Sequence, residues 1–184
     1  METSYQAKEK SALEAFESLP EGTPAQLIGG EIIMSPAPTA KHQIVQMNLS
    51  ALLHNFVLKK RIGTVIASPI DVYFSGEEVY QPDIIFISKS NESIIRENID
   101  GAPDLVVEIL SPSNAYHDLR HKWRIYERYG VKEYWIVDPM AKCIEILENR
   151  AGEFQRISRA FETGEVQSNL LKGLAVDLGD VFGN

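Results

Sequence analysis

One stretch, PDLVVEILSPSNAYHDLRHK from Pro103 to Lys122, constrains this chain more than any other. Its first half has the β-branched density of a buried strand. Side chains along a strand alternate between faces. Leu105, Val107 and Ile109 therefore share one face, and Asp104, Val106, Glu108 and Leu110 the other. Glu108 then points from the centre of a sheet into whatever covers that second face. A buried carboxylate is costly unless it is paired or holds a metal.

The second half predicts a helix over about Ala115 to Tyr129, stopped at Gly130. At about 100° per residue, Lys122 falls inside the apolar stripe of Leu119, Trp123, Tyr126 and Tyr129. Arg120, Arg124, Glu127 and Arg128 lie opposite. The helix follows the strand directly, so its stripe should lie on the sheet and bring Lys122 to Glu108. Asp118, one turn earlier, can brace the lysine. By itself the pair fits a core ion pair, or a lysine snorkelling to the edge, better than a site.

A second carboxylate shifts that balance. In QPDIIFI, Asp83 opens a hydrophobic strand directly after Pro82, and proline suits the first position of a strand. Two carboxylates converging from neighbouring strands form the oxygen donor set of a hard cation such as Mg²⁺ or Mn²⁺, with waters and phosphate completing the shell. A lysine beside them can orient a water or stabilise charge developing on a phosphate.

The remaining pattern predicts a mixed α/β domain with a central sheet flanked by helices. A short helix spans about Lys8 to Ser18. Two strands meet at the Gly29-Gly30 turn. A long amphipathic helix runs from about Thr39 to Lys60, with Ile44, Val45, Leu49, Leu52, Leu53, Phe56 and Val57 at three- and four-residue spacing and Gly63 as its stop. TVIASPIDVYF, QPDIIFIS and DLVVEIL read as three strands, with KSNESIIRENIDGAP as a polar loop. KEYWIVDP and KCIEILEN form a hairpin around DPMA, and EFQRISRAF and GLAVDLGDVF supply a further strand and a terminal turn. The 184 residues suit one domain.

The net charge of −8 argues against non-specific coating of nucleic acid, which needs clustered Lys and Arg. It leaves room for a local basic face or for a site whose bound cations carry the positive charge. No apolar run approaches the roughly 18 residues of a membrane span, and METSYQAKEKSALEAF lacks the apolar core of a signal peptide. The lone Cys143 fits a reducing cytoplasm and reads as a small core residue.

QPDIIFI, APDLVVEILSPSN, Asp118, Lys122, YERYGVKEYWIVDP, and upstream LIGGEIIMSP followed by His42 together resemble the PD-(D/E)xK nuclease superfamily. Within it they resemble the restriction-endonuclease-like Uma-two family, over about Ala25 to Asp180. The resemblance implies one restriction-endonuclease-like domain over residues 1–184. It implies Mg²⁺-dependent hydrolysis of DNA phosphodiester bonds, and a catalytic set of Asp83, Glu108, Lys122 and Glu31. The metal would sit on Asp83, Glu108 and Ile109, and a homodimer would form by analogy with nucleases that cut two strands. The usual motif puts lysine two residues after the glutamate, where this chain has Leu110. The family moves it to the next helix, where Lys122 lies.

Other candidates have plainer explanations. His117 and His121 have a zinc-like spacing but fall away from Lys122 on the wheel and read as solvated. Asp71 reads as a third acid or as a strand-end hydrogen-bond partner. Lys59-Lys60-Arg61 and the basic residues from Arg120 to Arg124 are where phosphate contacts would be sought. Two alternatives to a DNA endonuclease stay open: a non-catalytic nucleic-acid or protein interaction module of the same fold, and a metal hydrolase with a different substrate.

Overall fold

The computed structural model describes residues 10–111 and 117–183, and for 117–119 the backbone alone. Ser11 caps the first helix, α1 (Ala12–Glu17), through a reciprocal capping box with Glu14. A hairpin follows, β1 (Ala25–Ile28) and β2 (Glu31–Met34), turning at Gly29-Gly30 as the sequence predicts. Then come α2 (Ala40–Lys60), β3 (Gly63–Ala67), β4 (Val72–Ser75), β5 (Glu78–Tyr80) and β6 (Ile84–Ser88). The polar loop holds a 3-10 helix (Lys89–Ile94) and the short β7 (Ile99–Asp100) before β8 (Leu105–Ile109) and α3 (His117–Arg128). The chain closes with β9 (Glu133–Asp138), β10 (Cys143–Arg150), β11 (Glu153–Phe161), β12 (Glu165–Gln167), β13 (Ala175–Asp177) and α4 (Leu178–Phe182).

The expected mixed α/β domain is present, but its strands divide between two main sheets. One has the order β11-β10-β9-β8-β6-β3, with β8 and β9 parallel. The other has the order β2-β1-β5-β4-β7, and β12-β13 form a small ribbon. TVIASPIDVYF, expected as one strand, supplies β3 to the first sheet and β4 to the second. The break falls at Pro69, which lacks the N–H that a continued ladder needs.

Strand alternation decides how β8 is covered. Leu105, Val107 and Ile109 pack with Val45, Leu49, Leu53 and Val57 of α2, and with Val166, Val176, Leu178 and Val181 from the C-terminal elements. Val106, on the other face, packs with Ile125 and Tyr126 of α3 and with Val72, Phe74 and Tyr80 of the second sheet. α1 covers the far side of that second sheet through Phe16 against Leu27 and Val79. Cys143 is buried, as expected of a core residue.

Thr39 caps α2, and its side chain accepts the His42 amide N–H at 3.2 Å. The helix does not stop at Gly63. It ends at Arg61, which takes a left-handed conformation (φ 57°). Gly63 instead opens β3, where a Cβ would stand 2.1 Å from the Ile87 carbonyl oxygen. The glycine serves close strand approach rather than helix termination. Ile44, expected on the inner face of α2, is exposed.

Candidate active site

The register of β6 on β8 runs Ile84↔Val107, Ile85↔Val106, Phe86↔Leu105. Asp83 directly precedes β6 and Glu108 follows Val107 on β8, so the two acids adjoin at the same end of the paired strands, where Asp83 Oδ2 reaches the Ile109 N–H. Both acids and Lys122 line one cavity of about 350 Å³. Its remaining wall includes Gln26, Ser35, Pro36, Thr39, His42 and Gln81.

Each carboxylate is held by named partners. Lys122 Nζ lies 3.0 Å from Glu108 Oε2, and the Tyr126 hydroxyl donates to Oε1 at 2.6 Å. Both partners come from α3 and both are buried. Burial, and then the Glu108 charge, push the Tyr126 phenol well above its ordinary pKa, so it stays a neutral donor. Asp83 accepts the Ile109 N–H at Oδ2 (2.6 Å) and faces His42 Nε2 at Oδ1 (3.2 Å). Burial opposes protonation of His42. The Asp83 hydrogen bond and charge, the Ile109 main chain and Glu108 outweigh it, and the His42 pKa is raised.

A second layer fixes the Asp83 backbone. Gln46, buried one turn after His42, donates its amide to the Asp83 carbonyl at 2.9 Å and to Ser68 Oγ at 2.7 Å. Its own oxygen accepts Gln43 Nε2 at 2.9 Å. The Ser68 N–H also donates to the Asp83 carbonyl, at 2.9 Å. The sequence reading assigned no role to Gln46 or Tyr126. Gln46 carries a signal that could have found it, an amide beside Val45 on the inner face of α2. The inward direction of Tyr126 was legible from the helical wheel, but its hydroxyl partner was not.

Other expected residues lie elsewhere. Glu31 is exposed at the turn end of the β1–β2 hairpin, paired with Ile28. The Ala25/Met34 end carries Gln26 and Ser35 into the cavity, roughly 10 Å away at about 3.3 Å per residue. The hairpin direction thus keeps Glu31 out of the acid pair. Ile109 buries its side chain in the core and gives its N–H to Asp83, which leaves its carbonyl as the atom able to meet a cation. Asp71 is a hydrogen-bond partner, accepting Gln81 Nε2 at 2.8 Å. Lys59, Lys60 and Arg61 sit at the C-terminal end of α2, whose N-terminal residues Thr39 and His42 line the cavity. The 21 residues between span about 30 Å. The side chains of His117 and Asp118, and so the bracing of Lys122 by Asp118, lie outside the described residues. His121 is not simply solvated, since its Nε2 lies 3.2 Å from Glu78 Oε1.

Among the described residues no three His, Cys, Asp or Glu side chains group as a ligand set. A cation between Asp83 and Glu108 would rest on two carboxylates, with carbonyl, water or phosphate oxygens completing its shell. That donor set suits Mg²⁺, which keeps several waters, and does not suit zinc.

Residues 13–179 match the model of the family Uma2, described as "Putative restriction endonuclease". The chain belongs to the Uma2 family. An uncharacterized protein of Synechocystis sp., sll1609, is 26% identical over 155 residues, covering 80% of this chain and 85% of its own length. A crystal structure from Anabaena variabilis, described as a "putative nuclease belonging to DUF820", superposes with a TM-score of 0.78 at 23% identity. It covers 95% of this chain and 98% of its own. This second likeness extends the Uma2 assignment to the fold. Among the described residues no helix is long and apolar enough to cross a membrane.

Proposed function

We propose that this Uma2 protein is a Mg²⁺- or Mn²⁺-dependent endonuclease that hydrolyses DNA phosphodiester bonds in the Asp83–Glu108 cavity. The observation that carries the proposal is the convergence of two carboxylates on one cavity, with a buried lysine 3.0 Å from one of them. Asp83 and Glu108 would hold the cation, with the Ile109 carbonyl beside them. The bound ion would polarise the phosphate and lower the pKa of an attacking water. Lys122 directs its ammonium donors at the phosphate oxygens or at the water. Tyr126 keeps Glu108 oriented, and Gln46 with the Ile109 N–H keeps Asp83 oriented. Cutting both strands of a duplex would call for a homodimer.

One observation favours a second, non-catalytic reading. Each acid already faces a basic partner, His42 or Lys122, and such a network can be structural. Incubation with single-stranded, duplex and branched DNA and with RNA, with and without Mg²⁺ or Mn²⁺, separates the two. Metal-dependent cuts that vanish in Asp83→Asn and Glu108→Gln support the nuclease. Binding without cleavage supports the interaction module.

A further inference from the structure

Glu78 is a buried carboxylate that the proposed chemistry does not use. It belongs to β5 of the second sheet, outside the cavity of the acid pair. Its Oε2 accepts the Gly29 N–H at 3.1 Å and the Tyr80 hydroxyl, and its Oε1 faces His121 Nε2 at 3.2 Å. His121 immediately precedes Lys122 on α3. Glu78 and Tyr80 lie two apart on one strand and so share a face. The Tyr80 ring centroid lies 5.8 Å from Lys122 Nζ, within cation–π range.

The second sheet therefore grips the first turns of α3 at two adjacent points: Glu78 takes His121, and the Tyr80 ring underlies the Lys122 ammonium. From this geometry we infer that Glu78, His121 and Tyr80 form a latch that positions Lys122 on Glu108. The inference rests on the proposed role of Lys122. Glu78 is the fixed end, because the Gly29 N–H at the β1–β2 turn and the Tyr80 hydroxyl both hold its Oε2 while His121 approaches more closely to Oε1. His121 is the releasable end, with 41% of its side chain exposed. Releasing it frees the turn of α3 that precedes Lys122 without emptying either core. Glu78 and His121 hold each other rather than line the cavity of the acid pair. They act through the lysine and are positioning residues.

The first test needs no activity. Brief acetylation with acetic anhydride, followed by mass spectrometry of the whole folded chain, reads the accessibility of each lysine amine. Lys122 is 4% exposed and should be protected, while the exposed Lys172 should label freely. His121→Ala should raise Lys122 labelling by at least about fivefold through local opening. His121→Gln, which keeps an N–H able to reach Glu78, should restore protection. Glu78→Ala should act like His121→Ala, with circular dichroism reporting the fold of each variant. Lys122 that stays protected in folded His121→Ala overturns the latch.

The second test is kinetic. His121→Ala should lower kcat with KM unchanged, and should have no further effect on the residual rate in a Lys122→Met background. An equal fall in both backgrounds overturns the inference, because it places His121 outside the path through Lys122. A wild-type chain that cuts none of the nucleic acids overturns the proposed function instead, and the labelling result then still decides whether the latch exists.

Discussion

Asp83 and Glu108 line one cavity, yet each carboxylate already faces its own basic partner, His42 on the first and Lys122 on the second. A divalent ion entering between them has to share or displace both partners. This balance between two basic partners and one metal shapes the behaviour expected of the site.

Metal binding should be weak in the absence of substrate. Two carboxylates leave most positions to water, and both acids must loosen existing contacts. Titration calorimetry with Mg²⁺, or Mn²⁺ relaxation, should show binding that falls about tenfold or more in Asp83→Asn and in Glu108→Gln. Binding unchanged in both variants would remove the metal from this cavity.

Lys122→Met separates a reacting lysine from a structural one. The side chain keeps its length and loses its charge, leaving Glu108 with Tyr126 but without the ammonium. Breaking a buried pair costs about 3–5 kcal/mol, and bound Mg²⁺ should reduce that loss by neutralising Glu108. Thermal unfolding with and without Mg²⁺ measures both terms. Cleavage should fall to a small residual rate in the folded variant, and cutting at the wild-type rate would make Lys122 a core residue.

Tyr126 should titrate only on unfolding. Its folded pKa lies well above the ordinary phenol value, so its contribution to stability is present below that ordinary value and is lost as pH rises beyond it. Tyr126→Phe should remove no phenolate absorbance until the alkaline unfolding transition. It should cost about 1.5–3 kcal/mol near neutrality, the range for a hydrogen bond to a charged group, and that gap from the wild type should narrow as pH rises above the ordinary phenol value. A gap that stays constant through the alkaline range would contradict this assignment.

Acid stability should depend on Asp104. Burial favours its neutral form, but the Lys132 ammonium and the Ser88 N–H and hydroxyl prevail and lower its pKa. Lys132 Nζ lies 2.5 Å from Oδ1, and the Ser88 N–H donates to Oδ2 at 2.8 Å. A lowered carboxylate pKa contributes stability that is present above the ordinary value and is lost as pH falls through the folded one. Urea unfolding of Asp104→Asn at pH 7 and at successively lower pH should show a stability gap from the wild type that narrows below about pH 4. A gap constant with pH would mean that the ion pair contributes nothing net.

Local periodicity carried much of this protein in the sequence itself. The two-residue alternation of LVVEI set Glu108 on the face opposite Leu105, Val107 and Ile109, because a strand's pleat depends on nothing beyond itself. The turn of about 100° per residue put Lys122 among Trp123 and Tyr126, and the Gly29-Gly30 hairpin follows from the same short-range rules. The Uma2 resemblance named both acids. Only the tertiary structure decided which distant partners meet. Asp83 comes beside Glu108 because β6 pairs antiparallel with β8, which brings the start of one strand to the end of the other. Glu31 leaves the cavity because its hairpin points that way, and Gly63 opens a strand because Ile87 crosses it closely. The wheel gave the angle of His121, but not that a second sheet would bring Glu78 to that angle. Periodicity is a property of neighbours along the chain, whereas the pairing of strands and the stacking of sheets are settled by burial summed over the whole domain.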